Sequence, residues 1–425
     1  MAAPPPHDVA DLELAPLGRA RVEWASRQMP VLATIRERFA AERPFDAVPI
    51  GASLHVTAET AVLLGTLAAG GAELSVCASN PLSTNDEVAA FLVVEEGVAT
   101  FARRAESPDR YLAHVDAVLD RRPLLTVDDG CDLVERLHGA RAKDAEGVLA
   151  GTEDTSTGAL RLRALAAGRG LAYPVLALSG AATRMLADNR HGTGQSTLDG
   201  IVRATNRLLA GATVVVAGYG NCGRAVANRA RGLGSVVLVT EIDPLKALEA
   251  VMDGFPVVSM ERAAPLGDIF VTATGNRDVL TAGHFEQMRD GAILANAGQF
   301  DVEIDVAGLR HVARAHRRIR PMVDEYVLGL PDRRLLLLAE GRLVNLALAD
   351  GHPPQVMDLS FSVQALACEW LIRHASDLPP ALHALPEAID AEIARLALGA
   401  MGVRIDEPSE LQRRYLESFD LDLDA

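Results

Sequence analysis

The sequence predicts an α/β protein built from two doubly wound, Rossmann-like domains, one of which is inserted into the other. Three observations support this fold class. Short apolar runs alternate with helical segments along most of the chain, and such alternation builds parallel sheets covered by helices on both faces. A glycine-rich turn of the dinucleotide-binding type begins only at Gly218. From Gly351 a long helical segment of different composition follows, so we expect the chain to leave one domain and re-enter it.

The elements of the first half can be predicted in order. Residues 1–20 are acidic and broken by prolines, so we expect a loose arm, whereas residues 24–41 have helical spacing. Alternating strands and helices are predicted at DAVPIGASLHV, TAETAVLLGTLAAGG, AELSVCAS and TNDEVAAFLVVEEG. Two further strands are predicted at PLLTVDDG and AYPVLALSG. The first of these ends at Asp129, the usual position of a ligand-binding group in an α/β sheet.

The second half contains a complete dinucleotide fingerprint. The helix GQSTLDGIVRATNRLLAG leads into a buried VVVA strand, which is followed by Gly218, Gly220 and Gly223 in G-x-G-x-x-G spacing. The first glycine permits the tight turn, the second lets the backbone approach a pyrophosphate, and the third lets the helix pack on the strand. The next strand ends at Glu241, about 20 residues on, where an acid takes the ribose hydroxyls of NAD and disfavours NADP. The alternative is an ordinary glycine-rich turn. Later strands are predicted at DIFVTATG, AILANAG and RLLLLAEGRLVNL.

Composition excludes several classes of function. A chain of 425 residues, 49% hydrophobic, suggests two or three domains with sizeable cores. The net charge of −16 and the lack of a basic run argue against nucleic-acid binding. Four cysteines without zinc spacing predict no metal site and fit a reducing cytoplasm. The acidic, proline-broken start does not resemble a signal peptide, and no apolar run is long enough to span a membrane.

Many short stretches resemble the S-adenosylhomocysteine hydrolase family over nearly the whole chain. The matching stretches are LHVTAETAVL, DDGCDL, TEDTSTG, ADNRHGTGQSTLDGI, VAGYGNCG, TEIDP, HFEQM, FDVEID, LLAEGRLVNL and GHPPQVM. The resemblance implies an NAD domain inserted into a substrate domain, tightly held NAD, a nucleoside substrate and a homo-oligomer, either a dimer or a tetramer. We therefore predict a substrate-binding domain in residues 1–188, an NAD-binding Rossmann domain in 189–350, a returning substrate-domain segment in 351–400 and a shortened tail in 401–425.

The chemistry of this family explains why a cofactor is needed for an elimination. A 5′ substituent on ribose leaves poorly by itself. Oxidation of the 3′-hydroxyl to a ketone by NAD⁺ makes the 4′ hydrogen acidic, because the carbanion is an enolate. A base then removes that hydrogen and the 5′ substituent departs. In the hydrolase, water adds to the resulting alkene before the ketone is reduced again. The cofactor carries the redox chemistry, while the protein supplies orientation and acid–base groups.

The resemblance also assigns roles to individual positions. The catalytic candidates are His55, Asp129, Arg184, Asp188 and Asn189. The substrate-binding candidates are Thr57, Glu59, Asp154, Gln299, His352 and Met357. The cofactor-binding candidates are Thr155, Ser156, Thr157, Asn189, Gly218, Gly220, Asn221, Cys222, Gly223, Glu241, Thr274 and Asn345. Some of these residues have a purely structural alternative role. The alternatives are a surface or capping histidine for His55, a turn residue beside glycine for Asp129, and packing at a domain junction for His352 and Met357.

Several positions depart from the family, and they crowd around the sugar. Arg184 stands where the family has a lysine beside the 3′-hydroxyl, and an arginine cannot act as a base. Asp154 replaces a longer glutamate that grips the 2′-hydroxyl, and Gln299 replaces a histidine. Ser179 and Lys246 each replace an asparagine. The family's C-terminal tail, with the lysine and tyrosines that reach a neighbouring subunit's NAD, has no counterpart in YLESFDLDLDA.

These departures lead to three functional hypotheses. The leading hypothesis is a nucleoside dehydratase that loses water and yields a 4′,5′-unsaturated product, which resembles the angustmycin-type branch of this family in antibiotic biosynthesis. The second is hydrolysis of S-adenosylhomocysteine to adenosine and homocysteine, or of a related thioether. The third is a non-catalytic, NAD-binding regulatory paralogue. An altered sugar would explain why the changes lie at its 2′ and 3′ edge while His55 is retained.

Overall fold

The computed structural model describes residues 4–329 and 331–417, which form two mainly parallel sheets. The strands of the first sheet begin with β1 (His7–Asp8), β2 (Pro49–Leu54), β3 (Glu73–Ala78), β4 (Ala99–Phe101), β5 (Leu125–Asp128), β6 (Ala150–Glu153) and β7 (Val175–Ala177). The second sheet contains β8 (Thr213–Ala217), β9 (Val236–Thr240), β10 (Ile269–Thr272), β11 (Ala292–Asn296), β12 (Ala313–Arg320), β13 (Val323–Leu328) and β14 (Arg333–Leu338). Strand β15 (Leu382–Ala384) returns to the first sheet.

The strand order confirms the predicted doubly wound α/β class. The first sheet has the order β1-β4-β3-β2-β5-β6-β7-β15, with every pair parallel. The second has the order β12-β13-β14-β11-β10-β8-β9, in which only β12, β13 and β14 pair antiparallel. Because β15 pairs with β7, the chain leaves the first sheet and later rejoins it. The exact limits of the predicted domains remain a prediction.

Helices cover both faces of both sheets. Those that precede the second sheet are α1 (Ala15–Ser26), α2 (Pro30–Glu42), α3 (Ala58–Ala69), α4 (Asp86–Val94), α5 (Pro108–Leu119), α6 (Asp132–Leu137), α7 (Ser156–Gly168), α8 (Ala182–Arg184) and α9 (Thr193–Thr205). The others are α10 (Asn221–Gly232), α11 (Pro244–Met252), α12 (Met260–Ala263), α13 (Ala282–Phe285), α14 (Val306–Val312), α15 (Val344–Ala347), α16 (Pro354–His374), α17 (Glu387–Ala400) and α18 (Glu410–Glu417).

The cores explain why the central strands are apolar without interruption. In β8, Val214 and Val216 pack into one cluster with Val226, while Val215 packs into a separate cluster with Phe270. Successive side chains of a strand point to opposite faces, so a strand covered on both sides needs apolar residues at every position. The first sheet likewise has one cluster on each face.

The predicted loose arm at residues 1–20 is wrong over most of its length. His7 and Asp8 pair with β4 as an edge strand, and the carboxylate of Asp8 lies 3.0 Å from Nε2 of His114. Helix α1 already begins at Ala15, since proline is well tolerated in the first turn of a helix. Residues 1–3 of the arm lie outside the described residues.

The single helix predicted over residues 24–41 is two helices. Pro30 starts α2, and the residue before a proline is disfavoured in helical conformation. Met29 accordingly has φ −122° and ψ 62°, which is not a helical conformation and therefore separates α1 from α2.

Candidate active site

A cleft between the two sheets encloses about 490 Å³. Most of the predicted site residues line it, from both sheets: His55, Thr57, Glu59, Asp129, Asp154, Thr155, Ser156, Thr157, Arg184, Asp188, Asn189, Gly220, Asn221, Cys222, Thr274, Gln299, Asn345, His352 and Met357. Gly218, Gly223 and Glu241 do not line this cavity. They form or brace the glycine turn at the start of α10. The fold therefore brings together groups as far apart in the sequence as His55 and Met357.

Four neighbouring strands are each followed by a polar residue at the sheet edge that carries this cleft. In spatial order β3, β2, β5 and β6 are followed by Ser79, His55, Asp129 and Asp154. Parallel strands place their carboxyl ends at one edge of the sheet, so the residue after each strand lies beside the next. The side chains accordingly meet: Nδ1 of His55 lies 3.1 Å from Oγ of Ser79, and its Nε2 lies 3.5 Å from Oδ2 of Asp129.

Asp154, at the end of this row, forms a buried ion pair with Arg184. Arg184 donates through Nη1 to Oδ1 of Asp154 and through Nη2 to Oδ2, the latter at 2.7 Å. Burial raises the pKa of Asp154 to about 6, although the guanidinium of Arg184 opposes this rise. Burial by itself would lower the pKa of Arg184, but Asp154 and Asp188 together raise it above its usual value. Arg184 is therefore always positively charged.

Asp188 has the opposite character to Asp154. One of its oxygens, Oδ1, lies 2.7 Å from Nδ1 of His352, and Oδ2 accepts from Nε and Nη2 of Arg184, each at 3.3 Å. Burial by itself would raise the pKa of Asp188, but His352 and Arg184 outweigh it and hold the pKa below its usual value. Burial would lower the pKa of His352, yet Asp188 raises it. The two carboxylates beside Arg184 therefore differ in their affinity for a proton.

Arg184 and Asp188 lie on a helical segment that contains a widened turn. Between α8 and α9 the residues Met185–Gly192 are π-helical, and the Thr193 N–H bonds to the Asp188 carbonyl five residues back. Such bulges are frequent at functional sites. Asp390, on the returning helix α17, caps the start of this helix by accepting from the N–H groups of Ala182 and Thr183, the second at 3.0 Å. The last part of the chain thus fixes the helix that holds Arg184.

Two buried glutamates support the loops on either side of the cleft. Glu153 accepts from the N–H of Gly130 at 3.1 Å and from the N–H and hydroxyl of Thr155, both at 2.7 Å. Burial raises the pKa of Glu153 well above its usual value, and the charge of Asp128 adds to this rise. Across the cleft, Glu303 holds the Thr274 loop in the same way, with bonds of 2.9 and 2.7 Å.

The glycine turn has the geometry that a dinucleotide requires. Gly218 has φ +93°, a conformation that favours glycine, and a Cβ on Gly223 would lie 1.9 Å from the Gly218 carbonyl oxygen. Around Gly220 nothing would meet a Cβ within 4 Å, so the backbone there is open to the cavity. Glu241 accepts from the N–H of Tyr219 at 2.6 Å and thereby braces the turn. These residues fit NAD, which Gly220 and Asn221 would approach from the start of α10.

The cleft also contains groups that can hold a nucleoside base. Thr57 caps α3, and Glu59 lies in the first turn of that helix, 8% exposed. Burial raises the pKa of Glu59, while the hydroxyl of Thr57 partly opposes the rise. His352 and Met357, which lie where the chain returns to the first sheet, also line the cleft. A carboxyl group at this depth can hydrogen-bond the polar edge of a purine while apolar neighbours hold its face.

The departures from the family also lie at the cleft. Ser179 and Lys246 line it, and Gln299 donates from Nε2 to Oδ1 of Asp129 at 3.3 Å, which links the two sheets. The C-terminal segment contributes no lining residue among its described positions, 401–417, and the rest of it, 418–425, lies outside the described residues.

Sequence reasoning missed the residues that support the site. Ser79, Glu153, Glu303 and Asp390 were not among the candidates. Each contacts a loop or helix that is close only after folding, so no local spacing marks it. Across the described part of the chain, no helix is long and apolar enough to cross a membrane. Within the same residues, no group of three or more histidine, cysteine and acidic side chains is placed to hold a metal.

Comparison with known proteins identifies the family. Residues 6–151 match the profile of S-adenosyl-L-homocysteine hydrolase, and residues 189–351 match the profile of its NAD binding domain. Adenosylhomocysteinase of Thermosynechococcus vestitus is 52% identical over 98% of this chain and 97% of that protein. The Aquifex aeolicus adenosylhomocysteinase is 54% identical, with 97% and 99% covered. S-inosyl-L-homocysteine hydrolase of Methanopyrus kandleri is 51% identical, with 97% of each covered. The chain is therefore an NAD-binding enzyme that belongs to the S-adenosylhomocysteine hydrolase family.

Proposed function

We propose that the enzyme runs an oxidation–elimination–reduction cycle on an adenine nucleoside and that its net reaction is hydrolysis of S-adenosylhomocysteine or a related nucleoside–homocysteine thioether. The observation that carries this proposal is the row of strand-end groups, with His55 and Asp129 beside the paired Asp154 and Arg184. The names of relatives that are half identical over nearly the whole chain support hydrolysis over dehydration.

Each residue of the row has a chemical task in this cycle. NAD, held at Gly220 and Asn221, would supply the redox chemistry at the 3′ carbon. Asp188 stays charged, because His352 and Arg184 stabilise the carboxylate, and it orients the 3′-hydroxyl as a hydrogen-bond acceptor. Asp188 is also our preferred acceptor of the 3′-hydroxyl proton, while Asp154, both of whose oxygens accept from Arg184, takes a hydrogen bond from the neighbouring hydroxyl. This assignment replaces the lysine that the family uses and that Arg184 cannot imitate.

His55 acts at the other end of the sugar. Its Nε2 faces the cleft beside Asp129, so it can give a proton to the departing 5′ group and take one from the water that adds afterwards. The base lies among Thr57, Glu59 and Met357. A protonated Glu59 would donate to a ring nitrogen of the base and accept from an exocyclic amino group.

The experiment that tests the proposal compares substrates by product mass. Purified enzyme is incubated with S-adenosylhomocysteine, S-inosylhomocysteine, adenosine and an adenine nucleoside of a ketose sugar. We expect release of homocysteine from one of the thioethers, with no alkene from a 5′-hydroxyl nucleoside. Formation of a product one water lighter, without homocysteine release, would replace hydrolysis with dehydration. No conversion of any substrate would favour the non-catalytic, regulatory alternative.

Dehydration is the second candidate, and one observation favours it. Both oxygens of Asp154 are taken by Arg184, so the carboxylate is less available to a ribose 2′-hydroxyl than the family's glutamate. A branched or ketose sugar could use that edge differently. If dehydration is the activity, the combined change Arg184→Lys, Asp154→Glu and Gln299→His should weaken it. If hydrolysis is the activity, the same change should leave homocysteine release intact or raise it.

A further inference from the structure

Ser79 lies directly behind the ring of His55. It follows β3, the strand next to β2, and its Oγ lies 3.1 Å from Nδ1 of His55. The side chain is buried, at 8% exposure. Its position is fixed by the backbone, because the N–H of Ser79 bonds to the carbonyl of Leu54 at 3.1 Å. The two strand ends therefore hold hydroxyl and imidazole in contact.

The two neighbours of the ring constrain its nitrogens differently. Asp129, when ionised, only accepts hydrogen bonds, so the Nε2 beside it favours a proton. A serine hydroxyl can either donate or accept. It donates to Nδ1 when that nitrogen is bare, and it accepts from Nδ1–H when that nitrogen carries a proton. The Ser79 hydroxyl can thus keep its bond to the ring in every protonation state that acid–base chemistry requires.

We propose that Ser79 is a positioning residue that holds the imidazole of His55 with Nε2 toward the cleft throughout the reaction cycle. The inference deepens the proposed function and rests on it. In the elimination step a base has removed the 4′ proton, and the electron pair left at C4′ forms the C4′–C5′ double bond as the bond from C5′ to the departing group breaks. The His55 imidazolium gives its Nε2 proton to that group, and Nδ1–H remains bonded to Ser79. When water adds at C5′, Nε2 takes a proton from the water and C4′ regains the proton held by the base. The ring returns to the imidazolium and the base to its starting state, so protons balance.

Kinetics of Ser79 variants test this assignment. Ser79→Ala should slow elimination about 10- to 100-fold while 3′-oxidation stays near the wild-type rate, because the ring loses its orientation but the sugar end is untouched. Reduced nicotinamide should therefore accumulate on the enzyme, and the pH profile of elimination should change. Ser79→Thr, which keeps the hydroxyl, should restore much of the rate. Ser83→Ala is the matched control, since that hydroxyl bonds to the Asn80 carbonyl in the same loop and does not touch His55.

Two kinetic results would overturn the inference. If Ser79→Ala eliminates at the wild-type rate with an unchanged pH profile, Ser79 does not position the ring. If oxidation and elimination fall together, its role is structural.

A measurement that does not need turnover separates this inference from the proposed function. In protein labelled with ¹⁵N-histidine, the His55 signals are assigned by their loss in His55→Asn. We expect the Nδ1 signal of His55 to shift in Ser79→Ala and not in Ser83→Ala. An unshifted Nδ1 signal contradicts the inference even if the enzyme is active. A shifted signal in a protein that converts no substrate supports the contact and rejects the proposed function instead.

Discussion

Arg184 donates to both carboxylate oxygens of Asp154, and the two residues are 7% and 4% exposed. Both charged groups of this buried bidentate pair are removed from water, so each is stabilised mainly by the other. Neither partner is therefore replaceable alone. The nearby Asp188 also accepts from Arg184, so loss of the guanidinium would remove a partner from two buried carboxylates.

The first prediction concerns the stability of this pair. Arg184→Met should lower the free energy of unfolding by about 3–5 kcal/mol, because it leaves a buried carboxylate without a partner. Adding Asp154→Asn should recover a large part of that loss. Urea unfolding of the single and double variants measures both effects, with the exposed Arg163→Met as control. A double variant no more stable than Arg184→Met would show that the ion pair is not the cause.

The second prediction concerns pH and uses a carboxyl group outside the cleft. Asp358, on α16, accepts from the N–H groups of Val31 and Leu32 at 3.0 and 2.7 Å, and burial raises its pKa to about 6. A carboxyl whose folded pKa is raised contributes stability at low pH that is lost as pH rises through that value. The loss should be on the order of 2 kcal/mol between pH 4 and pH 7.

Asp358→Asn removes this titration. Relative to the wild type, the variant should therefore gain stability as the pH rises through about 6. Urea unfolding at several pH values measures the difference. A difference that is constant across the range, or that moves in the opposite direction, would contradict the raised pKa.

The third prediction concerns the cofactor. NAD should co-purify with the enzyme, and Glu241→Ala should weaken its binding by roughly 1–3 kcal/mol through lost charge-assisted hydrogen bonds. Because Glu241 also braces the turn at Tyr219, Glu241→Gln, which keeps an acceptor oxygen, should lose less. Glu249→Ala on α11 is the control. The measurement is the NAD released on denaturation, and release of NADP from the wild type would rule out the assignment.

The fourth prediction concerns His55. His55→Asn should leave 3′-oxidation intact, so reduced nicotinamide should accumulate on substrate addition. Product formation should fall by about 10²–10⁴, the usual worth of general acid–base catalysis. Absorbance of the reduced cofactor and product mass are followed together. His383→Asn, whose ring bonds to the Pro379 carbonyl away from the cleft, is the control, and normal turnover of His55→Asn would remove His55 from the mechanism.

Some site residues could be predicted because their signal is local. Gly218 and Gly223 must be glycine for reasons contained in one turn: the first has a positive φ, and the second leaves no room for a Cβ. The apolar run of β8 predicts a strand covered on both faces for an equally local reason. His55 and Asp129 were identified through distinctive stretches around them. Their roles remain predictions.

Other features could not be predicted, because the sequence carries no local trace of them. The arm at residues 4–20 has loop-like composition, yet it is ordered by pairing with β4 and by Asp8 beside His114. Ser79 becomes a neighbour of His55 only because β3 lies next to β2. Glu153 binds the N–H of Gly130, and Asp390 caps the start of α8; only the fold brings these partners near.

By itself the sequence determined the α/β class, the dinucleotide turn, the family and most of the polar groups named above that line the cleft. Each of these depends on periodicity, on backbone conformation or on a short idiosyncratic stretch. Only the tertiary structure decided how the groups are paired: Asp154 with Arg184, Asp188 with His352, and Ser79 with His55. The physical reason is that proton affinity depends on burial and on the nearest charges, and these are set by the order of strands and the approach of the two sheets.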